Sequence, residues 1–415
     1  MKLHQLIASV CSVLICCMVP VGAAESEDAN APFSVLLTWQ NDPTTTMTID
    51  WYRKPHQLGL ASEIQVRAKG SDQWETHSAE RIDFPHSELK IDRVEVRKLQ
   101  PGTSYEFRGG KEGPIYSFRT MPATLDQPVS FVVGGDIYSQ ARWVELQNIE
   151  VTKRDPWFVV WGGDLWYEDG RPDRANRVEA LAALNLRTLV REDGRVIPLV
   201  VCIGNHEVAG GYHKDRVKSH ADRVEIAPYF YALFAFPGDP GYGVLDFGNY
   251  LSLVIGDTDH TNPMAGDQTE WMRKTIAERA SRPFVLPIYH VPAFPSNREF
   301  DSNLSTAVRE HWVPIFEENN LLAAFEHHDH TFKRTVPIRN GKADPGGVTY
   351  FGDGAWGVGA RAVHDVATTW YLDAASSTQH AYEVTLYPDK MTVQAFDQQG
   401  NDFDLAEIKV RSNPQ

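Results

Sequence analysis

The stretch LAAFEHHDHTFKR, residues 322–334, ends an apolar run in three imidazoles and one carboxylate: His327, His328, Asp329 and His330. Four other apolar runs stop in the same manner. VSFVVG leads into Gly135-Asp136, and WFVVWG into Gly163-Asp164 with Tyr167 three residues on. LVVCIG leads into Asn205-His206-Glu207, and FVLPIY into His290. Each signal is modest by itself. A Gly-Asp pair is commonly a turn, Asn-His a helix cap and its neighbour, and a lone histidine a satisfied loop residue. Jointly they are far more specific. Carboxylate, amide and phenol oxygens with imidazole nitrogens suit Zn, Mn or Fe and not a thiolate metal site. The set is too rich for one ion and fits two ions bridged by a shared carboxylate.

Such a set needs elements that bring distant positions together. From Pro128 onward, buried-looking strands alternate with helical stretches, among them SQARWVELQNIEVTKR, a region from about Ala175 to Arg191, and DQTEWMRKTIAERA. That rhythm predicts an α/β domain with helices covering buried strands. Sites in such sheets form beyond the carboxyl ends of strands, where all five motifs fall. The tail, GVTYFGDG and HAYEVTLYPDKMTVQAFDQQGNDFDLAEIKV, reads as a second sheet closing the same domain. Residues 33–120 have a different texture: short alternating runs such as SVLLTW, TMTIDWYR, SYEFRGG and IYSFRT between polar, Pro or Gly turns. They predict an antiparallel β-sandwich.

The order GD, GDxxY, GNHE, H and HxH resembles the purple acid phosphatase branch of the calcineurin-like metallophosphoesterases. GDLWYEDG, IPLVVCIGNHEV, YGVLDFGNYLSLVIGDTD, YHVPAFPSN, HHDHTFKRT and VTYFGDGAWG are similar to family segments in the same order. The resemblance implies a multidomain fold: a fibronectin type III-like sandwich over 31–121, then a metallophosphoesterase α/β sandwich of two mixed sheets flanked by helices over 128–412. It implies that Asp136, Tyr167 and His330 bind a first metal, Fe(III). Asp164 bridges, and Asn205, His290 and His328 bind a second, Fe(II), Zn or Mn. His206 is the implied catalytic residue, contacting the phosphoryl group together with Asn205. The implied reaction is phosphomonoester hydrolysis by a metal-bound hydroxide, with His206 as proton donor to the leaving oxygen.

The chain departs from the family in places. Tyr138 stands in GDIY near the first ligand, HVPAFPSNREF has no further histidine, and His327 replaces the glycine of GHxH. FGDGAWGVG, residues 351–359, lacks the Lys-Ser/Thr of a phosphate-binding P-loop and reads as a glycine-rich active-site loop.

Composition narrows the partners. The 415 residues carry a formal net charge of −15, which argues against a nucleic-acid scaffold or an anionic membrane surface as main partner. MKLHQLIASVCSVLICCMVPVGAA reads as a signal peptide over 1–24, so the mature chain is expected to be secreted or periplasmic, without a membrane span. Three of the four cysteines lie there, leaving Cys202 and no internal disulfide. The expected substrate is a phosphorylated small molecule. The same ligands serve a phosphodiesterase or nucleotide-cleaving enzyme, and a non-catalytic cell-surface binding protein is the reading from a different class.

Overall fold

The computed structural model describes residues 30–411 except Lys214, Arg216 and Asp353. The expected signal peptide, residue 412 and Asp353 of the glycine-rich loop therefore lie outside the described residues. Among the described residues no helix is long and apolar enough to cross a membrane.

Strands β1 (Ser34–Thr38), β2 (Met47–Arg53), β3 (Glu63–Ala68), β4 (Glu75–Ser78), β5 (Glu80–Asp83), β6 (Lys90–Val96), β7 (Ser104–Arg108) and β8 (Tyr116–Arg119) come first. They form two antiparallel four-stranded sheets, ordered β1-β2-β6-β5 and β4-β3-β7-β8. Leu37, Ile49, Trp51, Ile64, Val66, Phe107 and Phe118 are buried between them, as period-two alternation requires.

The α/β part follows with β9 (Val129–Gly134), α1 (Ala141–Lys153), β10 (Val159–Trp161), α2 (Ala175–Thr188) and β11 (Leu199–Val201). Next come α3 (His220–Ile226), α4 (Pro228–Leu233), β12 (Gly243–Phe247), β13 (Leu251–Ile255), α5 (Asp267–Ala277) and β14 (Phe284–Ile288). Then come α6 (Asn303–His311), α7 (Val313–Glu318), β15 (Ala323–Phe325), β16 (Phe332–Thr335), the short β17 (Ile338–Arg339) and β18 (Lys342–Ala343), β19 (Thr349–Gly352) and β20 (Leu372–Ser376). The last strands are β21 (His380–Leu386), β22 (Lys390–Asp397) and β23 (Asp402–Lys409). One sheet runs β11-β10-β9-β21-β22-β23, the other β12-β13-β14-β15-β19-β16-β20.

The sheets stack face to face, with Phe131, Val133, Val160 and Val200 of one meeting Leu253, Ile255, Leu286 and Ile288 of the other. The alternate residues, Val132, Val159, Trp161 and Val201, face outward against Val144, Val151, Val178 and Leu181 of α1 and α2. On the other side Val254, Val285 and Tyr289 pack against Met272, Ile276, Val308 and Trp312. The layers are therefore helix, sheet, sheet, helix. A strand buried on both faces must be apolar at every position, which is why these segments read as unbroken hydrophobic runs.

The tail departs from the expected second sheet. β21 pairs antiparallel with β9, Tyr382 opposite Val133 and Leu386 opposite Val129, and so extends the first sheet. Without it, β9 would present an unpaired edge of amides and carbonyls in the middle of the fold. Only β19 and β20 join the other sheet. Helices α3, α4, α6 and α7 are additions that the sequence pattern did not indicate.

The sandwich is fused to the α/β part. Trp39 packs edge-on against Phe158 and Phe247, with centroids 5.9 and 5.6 Å apart. Arg93 donates through Nε and Nη2 to both oxygens of buried Asp50 at 2.7 Å. Its Nη2 also reaches the carbonyls of Ala232 and Leu233 in α4, at 3.2 and 2.9 Å. Removing one partner of such a pair leaves the other as an uncompensated buried charge. Arg93→Ala is expected to lower unfolding stability by about 3 kcal/mol, measured by chemical denaturation.

Candidate metal centre

Strands β9, β10 and β11 of one sheet and β14 and β15 of the other deliver their C-terminal residues to one place. The Asp136 amide donates to Gly163 O at 2.9 Å, and the Ile137 amide to Asp164 O at 2.8 Å. Across the sheets the His327 amide donates to His290 O at 2.9 Å. The seven metal-ligand candidates of the sequence meet there, in two overlapping groups.

In the first group, His330 Nε2 lies 2.9 Å from Asp136 Oδ1, and Tyr167 Oη lies 3.1 Å from each of them. In the second, His290 Nε2 lies 3.3 Å from Asp164 Oδ1, 3.2 Å from Asn205 Oδ1 and 3.1 Å from His328 Nδ1. The potential ligand atoms of Asp136, Asp164 and His330 fall within 4.8 Å of one another, as do those of Asp164, His290 and His328. Asp164 belongs to both.

Oxygen acceptors and imidazole nitrogens crowd together here with too few protons between them. Burial works to raise the Asp164 carboxyl, but His290 and, more weakly, His206 and His328 outweigh it and hold it well below the usual range. Burial works to lower His290, yet Asp164 and then Asp136 push it up to about 9. His328 is pushed well down by burial and by His290, and the Tyr167 phenol well up by burial and by Asp136 and Asp164. Two carboxylates, an amide oxygen, a phenol and three imidazoles facing inward are a donor set that fits a pair of hard or borderline cations.

The backbone supports the same reading. Asp136, Asp164, Tyr167, His328 and His330 all sit at positive φ, between 54° and 79°. Each such non-glycine residue costs on the order of 1 kcal/mol, and this strain clusters where function demands a fixed geometry. His327 is absent from the positive-φ set, so a side chain is tolerated where the family carries glycine.

Supporting residues hold this arrangement. The His290 Nδ1 position lies 2.9 Å from Gly162 O, so the N–H there leaves Nε2 directed at Asp164. Glu207, fully buried, accepts from the amides of Asp164, Leu165 and Gly204 at 2.9, 2.6 and 2.7 Å. Burial, then Asp164, pushes its carboxyl up to about 7 against those amide bonds. Asp329 is not an idle spacer between two ligands: its Oδ2 gathers the amides of Ser296, Asn297 and Arg298 at 2.8, 2.7 and 3.2 Å. The fully buried Lys333–Glu326 pair, 2.5 Å apart, brackets the histidine cluster, and Glu326 Oε1 accepts from Tyr289 Oη and the Ala293 amide on the His290 loop. None of these carried a site role in the sequence. Their only signal was proximity to a motif, as for Glu207 in GNHE.

His206 stands over the groups, about a third exposed. Its Nδ1 lies 2.5 Å from Asp169 Oδ1, its amide donates to Asp164 Oδ1 at 2.8 Å, and its Nε2 is 4.0 Å from Asp164 Oδ2. Its ring packs on Tyr167 at 4.2 Å. Tyr138 packs against Arg177 of α2, which also donates to the Tyr138 carbonyl at 2.8 Å. The His327 ring is buried against glycines, such that a Cβ on Gly162 would lie 1.8 Å from its Nε2. Gly354 approaches Asp136 equally closely: a Cβ there would lie 2.0 Å from Oδ2, which makes the glycine-rich loop a wall of the site. Cys202 is buried, its thiol raised by burial and its Sγ 3.1 Å from Gly256 O, which fits a core residue and not a nucleophile.

Comparison with known families bears on this geometry. Residues 32–120 match the family described as purple acid phosphatase, N-terminal domain, and residues 129–332 match the calcineurin-like phosphoesterases. The chain thus carries a purple acid phosphatase N-terminal domain and a calcineurin-like metallophosphoesterase domain, and is homologous to plant purple acid phosphatases. Purple acid phosphatase 22 of Arabidopsis thaliana is 26% identical over 279 residues, 65% of this chain and 60% of the relative. The chain thus spans about three fifths of the length of that plant relative. Acid phosphatase type 7 of Mus musculus is 23% identical over 368 residues, 79% of this chain and 77% of the relative. Among solved structures, a purple acid phosphatase from yellow lupin seeds aligns over 92% of this chain and 74% of its own, with TM-score 0.73 and 16% identity. PhoD aligns over 94% of both chains with TM-score 0.67 and 13% identity. Both share the fold.

The Glu207 clamp is testable without metal. Glu207→Gln places an NH2 against at least one of the three amides, and is expected to cost about 1–3 kcal/mol in thermal unfolding of the metal-free protein.

Proposed function

We propose that the chain is an exported, binuclear metal-dependent phosphatase acting on phosphomonoesters. The observation that carries the reading is the pair of ligand groups sharing Asp164, built from five strand ends in two sheets. Asp136, Tyr167 and His330 would hold one ion, and Asn205, His290 and His328 the other, with Asp164 between them. Tyr167 favours Fe(III) in the first site, with Fe(II), Zn or Mn in the second. The chemistry sits within 128–412, and the sandwich over 31–121 buttresses it. The N-terminal pattern over 1–24 supports export.

The bound ions would supply Lewis acidity, activating water near neutral pH and offsetting phosphoryl charge. The protein's own residues do the rest. Asn205 and His206 face the phosphoryl oxygens and orient the ester. Asp169 holds the His206 ring by Nδ1, which leaves Nε2 on the side of the reacting centre. As water oxygen bonds to phosphorus, the bond to the ester oxygen breaks in line, and the His206 Nε2 proton passes to the departing alkoxide. Alcohol and inorganic phosphate are the products. Gly354, by its close approach, and the buried wall around Asp136 keep bulk water from the carboxylates. No side chain becomes phosphorylated.

Three outcomes test the reading. His328→Ala and Asn205→Ala are expected to lower bound metal from two ions toward one per chain, with activity falling about 10- to 100-fold or more. The iron-loaded protein should show a visible tyrosinate–ferric band that Tyr167→Phe removes, and a colourless, fully active Zn or Mn protein would refute the ferric assignment. Parallel assays on an aryl monophosphate and the matching bis-ester should favour the monoester. Preference for the bis-ester would make the chain a phosphodiesterase, and inertness toward both would leave a binding protein.

A further inference from the structure

The rim beside His328 carries two hydrogen-bond donors that the phosphatase reading leaves unused. The first is Arg298. Its Nη1 donates to Asp329 Oδ1 and to His328 O, both at 3.0 Å. Its amide is held by Asp329 Oδ2, and its carbonyl lies 2.8 Å from His364 Nε2. Asp329 is fully buried, so the guanidinium is anchored to a rigid base. Only one corner of the fork is engaged. Nε and Nη2 make no hydrogen bond among the described residues, and the side chain is 33% exposed.

The second donor is Tyr212. Its ring stacks on His260 at 5.0 Å and 28°, and the His260 ring packs edge-on against the ligand His290 at 5.6 Å. His260 is itself fixed by Thr258 Oγ1 at 3.0 Å and Gly211 O at 3.2 Å. The Tyr212 hydroxyl has no hydrogen-bond partner among the described residues. The His290 ring in turn lies 4.8 Å from the ring of His328, whose carbonyl Arg298 holds, so Tyr212 and Arg298 border two adjacent residues of the centre.

A guanidinium fixed at one corner presents its free Nε–Nη2 edge as two parallel donors, the match for two oxygens of a tetrahedral oxyanion. A neighbouring phenol adds a third. On a chain of net charge −15, a preorganised cluster of donors selects anions. The scissile phosphoryl group already has the ions, Asn205 and His206, whereas Arg298 attaches to the backbone side of His328, one step outward.

We propose that Arg298 and Tyr212 form an anion subsite beside the metal centre, selecting phosphate esters whose leaving group carries a second phosphoryl group. The substrate class rests on the phosphatase reading; the subsite itself is measured by binding alone. The probes are methylenebisphosphonate and methylphosphonate, titrated calorimetrically into the metal-reconstituted full chain. Arg298→Gln is expected to weaken the bisphosphonate about 10- to 100-fold, at least about fivefold more than it weakens the monophosphonate. Arg298→Lys should recover part of that difference, having charge without the fork. Tyr212→Phe, which removes one oxygen and leaves the ring stack, should reduce the same selectivity severalfold and keeps the test open should Arg298→Gln fail to fold. Equal penalties for the two probes in Tyr212→Phe and in every folded Arg298 variant would overturn the subsite. Neither probe is hydrolysed, so an inactive wild-type protein would refute the phosphatase reading without affecting this measurement.

Discussion

Everything around the centre depends on keeping the Asp164 carboxylate charged although it is buried. It is almost wholly buried and shared by both ligand groups, so its solvation must be replaced by fixed charges and amides. His290 faces it directly, the His206 amide donates to it, and its own amide is tied down by Glu207. The left-handed backbone at Asp136, Asp164, Tyr167, His328 and His330 is the steric side of the same constraint. Each strand must turn sharply at its end to aim a polar group inward, and an isolated loop would relax out of that conformation.

What resists the relaxation is the layered core. The two sheets meet through their inner faces and are covered by helices outside, so the strand ends are fixed relative to one another on both sides of the centre. The sandwich adds to this stiffness by sharing a core with the α/β part through Trp39, Phe158 and Phe247. Buried polar clamps finish the job locally. Glu326 with Lys333 holds the two sides of the histidine cluster, and Asp329 draws the 296–298 loop beneath it.

The departures from the family fall into two kinds. His327 is accommodated by bare glycine backbone opposite, so its ring fills the packing beneath the centre. The segment after His290, by contrast, lacks further histidines and supplies Arg298, held against Asp329 and the His328 carbonyl. The inner residues of the site follow the chemistry of the metals.

The residues that converge and the α/β class were legible from the chain because both are local. An apolar run buried on two faces and ended by a polar residue repeats five times from Asp136 to His330, with glycine before the polar residue in the first three. Hydrophobic alternation likewise marked the sandwich. The tail was misread because strand pairing is a non-local choice: β21 alternates equally well for either sheet, and only the open edge of β9 decides where it goes. Helices α3 and α4 were invisible because they are short, so few turns exist for a period to emerge. Glu207, Asp329, Glu326 and Arg298 were present in the letters but had no reading, since a clamp is defined by the amides it meets. The sequence by itself determined which atoms can bind metal, because ligand chemistry belongs to the residue type. Only the tertiary structure decided that Asp164 lies in both groups and that Arg298 keeps a free edge, because those are distances between segments that the chain separates.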